Sequence, residues 1–169
     1  MIVKAFPMHE MPDILIRHAE ETDIDDMVAL LGHLFSIEDD FHVDSEKQRT
    51  GLALIIENRE HACVKVAVNS ELNRVVGMCT AQTLISTAEG GRAAIVEDVV
   101  VSKSYRGRGI GTRLMGALAQ WARHRGITRL QLLYDMDNMP ALTFYRTLGW
   151  QPTSLGCLRL KIRPGQALL

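Results

Sequence analysis

Residues 99–112 read Val-Val-Val-Ser-Lys-Ser-Tyr-Arg-Gly-Arg-Gly-Ile-Gly-Thr. This is a β-branched strand, a loop of glycine and arginine, and the start of a helix. Such an arrangement suits an anionic phosphate. Glycines let the backbone approach a ligand closely. The free N–H groups of a first helical turn point outward, and the helix dipole adds attraction for negative charge. The helix is legible from Ile110, Leu114, Leu118, Trp121 and Arg125, which recur at helical spacing. Gly126 followed by Ile127 reads as its C-terminal stop. The helix therefore starts near Arg108 or Gly109, with the loop amides at its N-terminus. Just upstream, Glu97 and Asp98 interrupt the apolar run. A carboxylate there is costly unless it is solvated, paired or working, and burial would raise its pKa toward the range of a general base.

Three phosphate loops are candidates. A Walker loop needs two glycines separated by four residues and then Lys and Ser or Thr, which is absent. A dinucleotide fingerprint that begins at Gly107 and Gly109 needs a third glycine where Thr112 stands. The segment Thr128 to Leu133 also lacks an acidic residue that would hold a ribose. The remaining pattern is Arg106-x-x-Gly109-x-Gly111.

That pattern, with Ile95 to Val101 before it, closely resembles the acetyl-CoA-binding motif of the GNAT superfamily of N-acetyltransferases. A second match follows at Asn138 to Trp150, where a helix carries an Asn, the pair Phe144-Tyr145 and the end Leu148-Gly149. The resemblance implies direct attack of a primary amine on bound acetyl-CoA. It implies Glu97 as general base, directly or through water, with Asp98 as the weaker candidate. It implies Tyr145 as general acid for the leaving thiolate. A backbone N–H at Val99 would polarise the thioester carbonyl, and the strand from Val99 through Val100 to Val101 would pair with the pantetheine arm. The cradle for the pyrophosphate is Arg106, Gly107, Arg108, Gly109, Ile110, Gly111 and Thr112. Asn138 is a further contact to the CoA arm and also an N-cap for its own helix.

Those residues need a frame. Ile14 to His18 alternates as a first strand. Thr22 is a good N-cap, and Ile24, Met27, Val28, Leu31 and Phe35 form the apolar face of a helix. Asp44 or Ser45 caps a second helix, in which Leu52, Ile55 and Ile56 face inward. A hairpin follows, turning at residues 70–73, and a turn near Glu71 would set Cys63 opposite Cys79. Ala93 to Val101 leads into the loop, a strand at Leu130 to Tyr134 follows the loop helix, and Met139 to Thr147 is helical. Two last strands are expected near Trp150 to Pro152 and at Leu155 to Ile162. The order β-α-α-β-β-β-α-β-α-β-β predicts an α/β domain. Its sheet is mixed, mostly antiparallel and twisted, flanked by helices, and this is also the GNAT order. One acetyltransferase domain is expected over residues 1–169, with its core at about 13–163.

Composition agrees. The 169 residues carry 47% hydrophobic and 23% charged residues and a net charge of −1. That is an ordinary globular balance, without the basic excess of a nucleic-acid binder. No apolar run reaches the length of a membrane span, and Met1 to Met11 lacks a secretory core. A cytoplasmic protein is expected. Its three cysteines and six histidines show neither a disulfide framework nor metal-ligand spacing.

The acceptor, a small-molecule or peptide amine, is shaped in this family by the first two helices and their connecting loop. Here that loop holds Phe35, Glu38 and Phe41 among aspartates, with Glu38 and Phe41 the candidate acceptor contacts, although a solvated acidic loop explains the same residues. Family members are often dimers, so a homodimer is expected. The competing reading is a catalytically silent acyl-CoA-binding module. The retention of both Glu97 and Tyr145 favours an enzyme.

Overall fold

The computed structural model describes residues 13–36 and 43–162. By contact it consists of two compact units, one ending at Leu132 and the other beginning at Leu133.

The first unit holds a five-stranded sheet in chain order: β1 (Ile14–His18), β2 (Ala62–Asn69), β3 (Arg74–Ser86), β4 (Gly91–Val101) and β5 (Ile127–Leu132). The first three pairings are antiparallel, and β4 with β5 is parallel. β2, β3 and β4 follow one another through short turns, whereas a two-helix segment separates β1 from its partner β2. The one parallel pair is joined by a crossover helix, as its geometry requires. Helices α1 (Ile24–Phe35), α2 (Ser45–Glu57) and α3 (Ile110–His124) flank the sheet. α1 packs on β3 and β4, α2 on β2, and α3 across β2 to β5.

Strand alternation separates the two faces. Val64, Val66, Val68 and Met78 share a core with Met27, Leu31, Leu52 and Ile56. The other face is built from small residues. Gly77 sits opposite Ala67, and a Cβ at Gly77 would lie 3.1 Å from the Val100 carbonyl oxygen and 3.3 Å from Leu114. Glycine there lets α3 close on the sheet, with Leu114 and Leu118 fully buried. The chain before α1 differs from the sequence expectation. Thr22 lies inside a short 3-10 turn (Glu21–Asp23) and does not cap α1. Asp23 takes over the local polar work, accepting from the Glu20 N–H at 2.8 Å and from Arg17 at 2.6 and 2.8 Å. Asp44 does cap α2, accepting from the Lys47 N–H.

Cys63 and Cys79 are both free and buried, but they are not opposite one another. Cys63 faces Ala81, and Cys79 faces Lys65. The register shift between Ala67 and Val68 moves the ladder, and a turn position alone does not reveal it.

The second unit contains α4 (Met139–Thr147). The two terminal strands do not form: residues 150–162 carry no strand. Leu155, Leu158, Leu160 and Ile162 are exposed. Their spacing suits a strand, but a strand exists only where a ladder partner takes up its backbone groups.

Candidate functional site

β4 changes character halfway along. Up to Val96 it is paired on both edges, with β3 and with β5. The ladder to β5 ends at Val96 and Leu132, because β5 itself ends there. Residues 97–101 therefore present, on their β5-facing edge, backbone that no strand of the described residues pairs. An extended ligand carrying amides can pair with such an edge.

The same stretch is bulged. Thr80 pairs with Glu97 and Met78 with Val100, so Asp98 and Val99 together oppose Cys79. Asp98 has φ 52°, the left-handed conformation that Asp tolerates better than most side chains. The Thr80 hydroxyl donates to its carboxylate at 3.2 Å. A bulge re-aims the backbone, and here it does so at Val99, one residue before the buried Val100.

Strand alternation alone sets Glu97 and Asp98 on opposite faces of an apolar run. In the fold, Glu97 is exposed and accepts from Gln82 Nε2 at 3.4 Å. β3 offers the polar Gln82 beside it, and β5 stops short of it. Glu97 is a solvated carboxylate on the strand leading to the loop.

After Val101 a short turn (Lys103–Tyr105) leads to Arg106, and α3 begins at Ile110 with Gly109 as its N-cap. Gly107 has φ 74° and Gly109 φ 72°, and a Cβ at either would meet nothing within 4 Å. Glycine is needed for the backbone conformation, and the space beside it is open to a ligand. No side chain caps the helix at Gly109, so the amides of Ile110, Gly111 and Thr112 form an uncapped, positive helix end. The first turn carries no acidic residue. These features fit a phosphate group.

The arginines of the loop have defined places. Arg106 Nε donates to the Val101 carbonyl at 2.9 Å, tying the loop back to the strand. The Arg108 guanidinium lies 5.3 Å from the Tyr105 ring centre. Tyr105 is fixed from behind, since Asn69 Nδ2 donates to its hydroxyl at 3.0 Å. Asn69 is buried, and its carbonyl oxygen accepts from the Glu71 and Leu72 N–H groups. The sequence reading did not assign Asn69, Tyr105 or Thr80. Tyr105 is visible beside the glycine motif, whereas Asn69 gives no signal before the fold brings the β2–β3 turn to the loop.

In the second unit, the Asn138 side chain caps α4 by accepting from the Ala141 N–H at 3.1 Å. Tyr145 is half-buried on that helix, its ring centre 5.3 Å from Phe144 and 5.9 Å from Trp150. The aromatic neighbours fix the ring. Glu38 and Phe41 lie outside the described residues. Among the described residues no helix is long and apolar enough to cross a membrane.

Comparison with known proteins matches residues 24–150 to the acetyltransferase (GNAT) family. A glucosamine 6-phosphate N-acetyltransferase of Trypanosoma brucei brucei is 32% identical over 147 residues, which are 85% of this chain and 93% of the relative. A mouse thialysine N-epsilon-acetyltransferase is 29% identical over 83% of this chain and 86% of its own length. The crystal structure of a Trypanosoma brucei acetyltransferase superposes with a TM-score of 0.68 at 27% identity, covering 89% of this chain and all of that one.

Proposed function

The chain belongs to the acetyltransferase (GNAT) family, and from that membership we propose that it moves an acetyl group from acetyl-CoA to a primary amine by direct attack. The observation that carries this reading is the bulged end of β4, beyond its ladder to β5, running into a glycine-lined, uncapped helix start. The amides of Arg106 to Thr112 hold the pyrophosphate, and the backbone of Val99 to Val101 pairs with the pantetheine arm. Asn138 adds a contact to that arm. The Val99 N–H donates to the thioester carbonyl oxygen as negative charge develops there.

Glu97 takes the proton of the acceptor ammonium, directly or through a water. Its exposure lets it meet an acceptor arriving from solvent. As the new C–N bond forms and the C–S bond breaks, Tyr145 supplies a proton to the departing sulfur, and the surplus proton on the new amide nitrogen passes through water to the tyrosinate. The relatives' names point to small amines, a sugar phosphate amine and a lysine analogue. Acceptor contact is assigned to Glu38 and Phe41, which belong in sequence to the segment joining the first two helices. The same reading has the enzyme acting in the cytoplasm as a homodimer, with no metal and no nucleic-acid or membrane partner.

The test is CoA release from acetyl-CoA in the presence of polyamines, amino sugars, aminoglycosides, amino acids and short peptides. Release that requires one amine class, with the acetyl group recovered on that amine, is the expected result. Acetyl-CoA binding without release for any class would make the chain a silent acyl-CoA-binding module.

A further inference from the structure

At the opposite end of α3 from the glycine loop lies a cavity of about 150 Å³. α3 has 15 residues, so the two ends are roughly 22 Å apart at the helical rise. His18, Arg59 and Arg125 line the cavity together with Ile55, Ile56 and Trp121. These residues come from the end of β1, from α2 and the segment after it, and from α3 and its C-cap. None of them belongs to the acetyl-transfer machinery.

Arg125 is held in place. Its guanidinium donates to the Glu60 carbonyl at 2.6 Å and to the Arg59 carbonyl at 2.8 Å. Those bonds occupy two of its five N–H donors, so directional donors remain for a ligand. Among the described residues, Arg59, Lys65 and Arg125 take part in no ion pair. Burial holds the His18 imidazole below its ordinary pKa, and the charges of Lys65, Arg59 and Arg125 lower it further. Lys65, Arg59 and Arg125 thus each act on His18 as cations. The nearby Cys63 thiol, 4.0 Å from His18 Nδ1, is pushed up to about 11 by burial, so it is neutral and adds no counter-charge. The C-terminal end of α3 carries partial negative charge, which the Arg125 and Gly126 N–H groups offset in part by capping the Trp121, Ala122 and Arg123 carbonyls. A concave site with convergent cations and an apolar wall is built for an anion attached to an apolar body.

We propose that this cavity binds a small organic anion, its carboxylate or phosphate held by Arg59, Arg125 and His18 and its apolar part resting on Trp121 and Ile55. The site is separate from the acetyl-CoA loop, so its ligand binds without displacing the acyl donor.

His18 reports occupancy. An anion beside it offsets the cations and favours the imidazolium, so its titration midpoint moves up. The experiment follows the His18 ring resonances by NMR through a pH titration, with His18→Gln to assign them. Inorganic phosphate and benzoate are the probes, and chloride at matched ionic strength is the baseline. Benzoate distinguishes a carboxylate on an apolar ring from the bare anion. The expected result is a saturable upward shift of the His18 midpoint, with benzoate binding more tightly than phosphate. In Arg59→Gln the affinity falls about tenfold, and Arg59→Lys restores part of it. Arg59 is exposed, so these variants are expected to keep the fold, as checked by circular dichroism. Three results overturn the proposal: no shift beyond the chloride baseline with either probe, shifts confined to other histidines, or an Arg59→Gln response equal to wild type.

Discussion

Tyrosine and phenylalanine differ by one hydroxyl, and that hydroxyl is what the proposed chemistry asks of Tyr145. The ring packs beside Phe144 and Trp150, and a phenyl ring keeps those contacts. Tyr145→Phe is therefore expected to lower kcat by about a hundredfold, the usual scale of one general acid, while the acetyl-CoA KM stays put. Equal turnover would reduce Tyr145 to packing. Glu97→Gln keeps the size and the hydrogen-bonding reach of a side chain that is exposed already. It is expected to lower kcat on a similar scale with no change in urea stability. An unaltered rate would move the base elsewhere. At this scale residue types are legible in the sequence, but their surroundings are not. Glu97 looked like a carboxylate in an apolar run because the run is apolar in sequence. Its exposure depends on where β5 ends, which no local pattern encodes.

The bulge in β4 joins the frame to the site at the scale of elements. It sets two residues against Cys79 and holds Asp98 at positive φ, with Thr80 as hydrogen-bond partner. A β-branched side chain resists that conformation, whereas glycine accepts it. Asp98→Val is expected to cost about 1–3 kcal/mol in urea unfolding, and Asp98→Gly clearly less. Equal losses would show that the carboxylate contact, and not the backbone, carries the effect. The bulge was not legible in advance, because it arises from the register of β3 against β4. The helix α3 was legible, since Ile110, Leu114, Leu118 and Trp121 bury one face as their spacing requires. The missing terminal strands mark the opposite limit. Alternation at Leu158, Leu160 and Ile162 states a preference for an extended chain but names no partner.

The whole molecule depends on polar ties as well as on its apolar core. Asp23 is buried where β1 passes into α1. Burial alone would raise its carboxyl, but the hydrogen bonds from Arg17 and the Glu20 N–H, together with the Arg17 charge, hold it below the ordinary value. A carboxyl whose pKa is depressed by folding contributes stability above its unfolded pKa. That contribution is lost as pH falls from about 4 through the lower folded value. Asp23→Ala is expected to cost about 2–4 kcal/mol at neutral pH. Its deficit relative to wild type should shrink in that acidic window, as read by urea unfolding at a series of pH values. A constant deficit would assign the loss to packing. The α/β class and the element order through α4 were legible at this scale because each element carries its own period. The pairing of strands, and the cavity at the far end of α3, come from residues distant in sequence.

The central claim is that the Arg106 to Thr112 loop is the phosphate cradle for acetyl-CoA. Calorimetric titration of acetyl-CoA into wild type and Gly109→Asp tests it most directly. The substitution brings a negative charge and an unfavourable φ into the open space beside the helix start. Binding by wild type, weakened at least about tenfold in Gly109→Asp with its fold intact by circular dichroism, is the expected result. Equal affinity of the two proteins would contradict it.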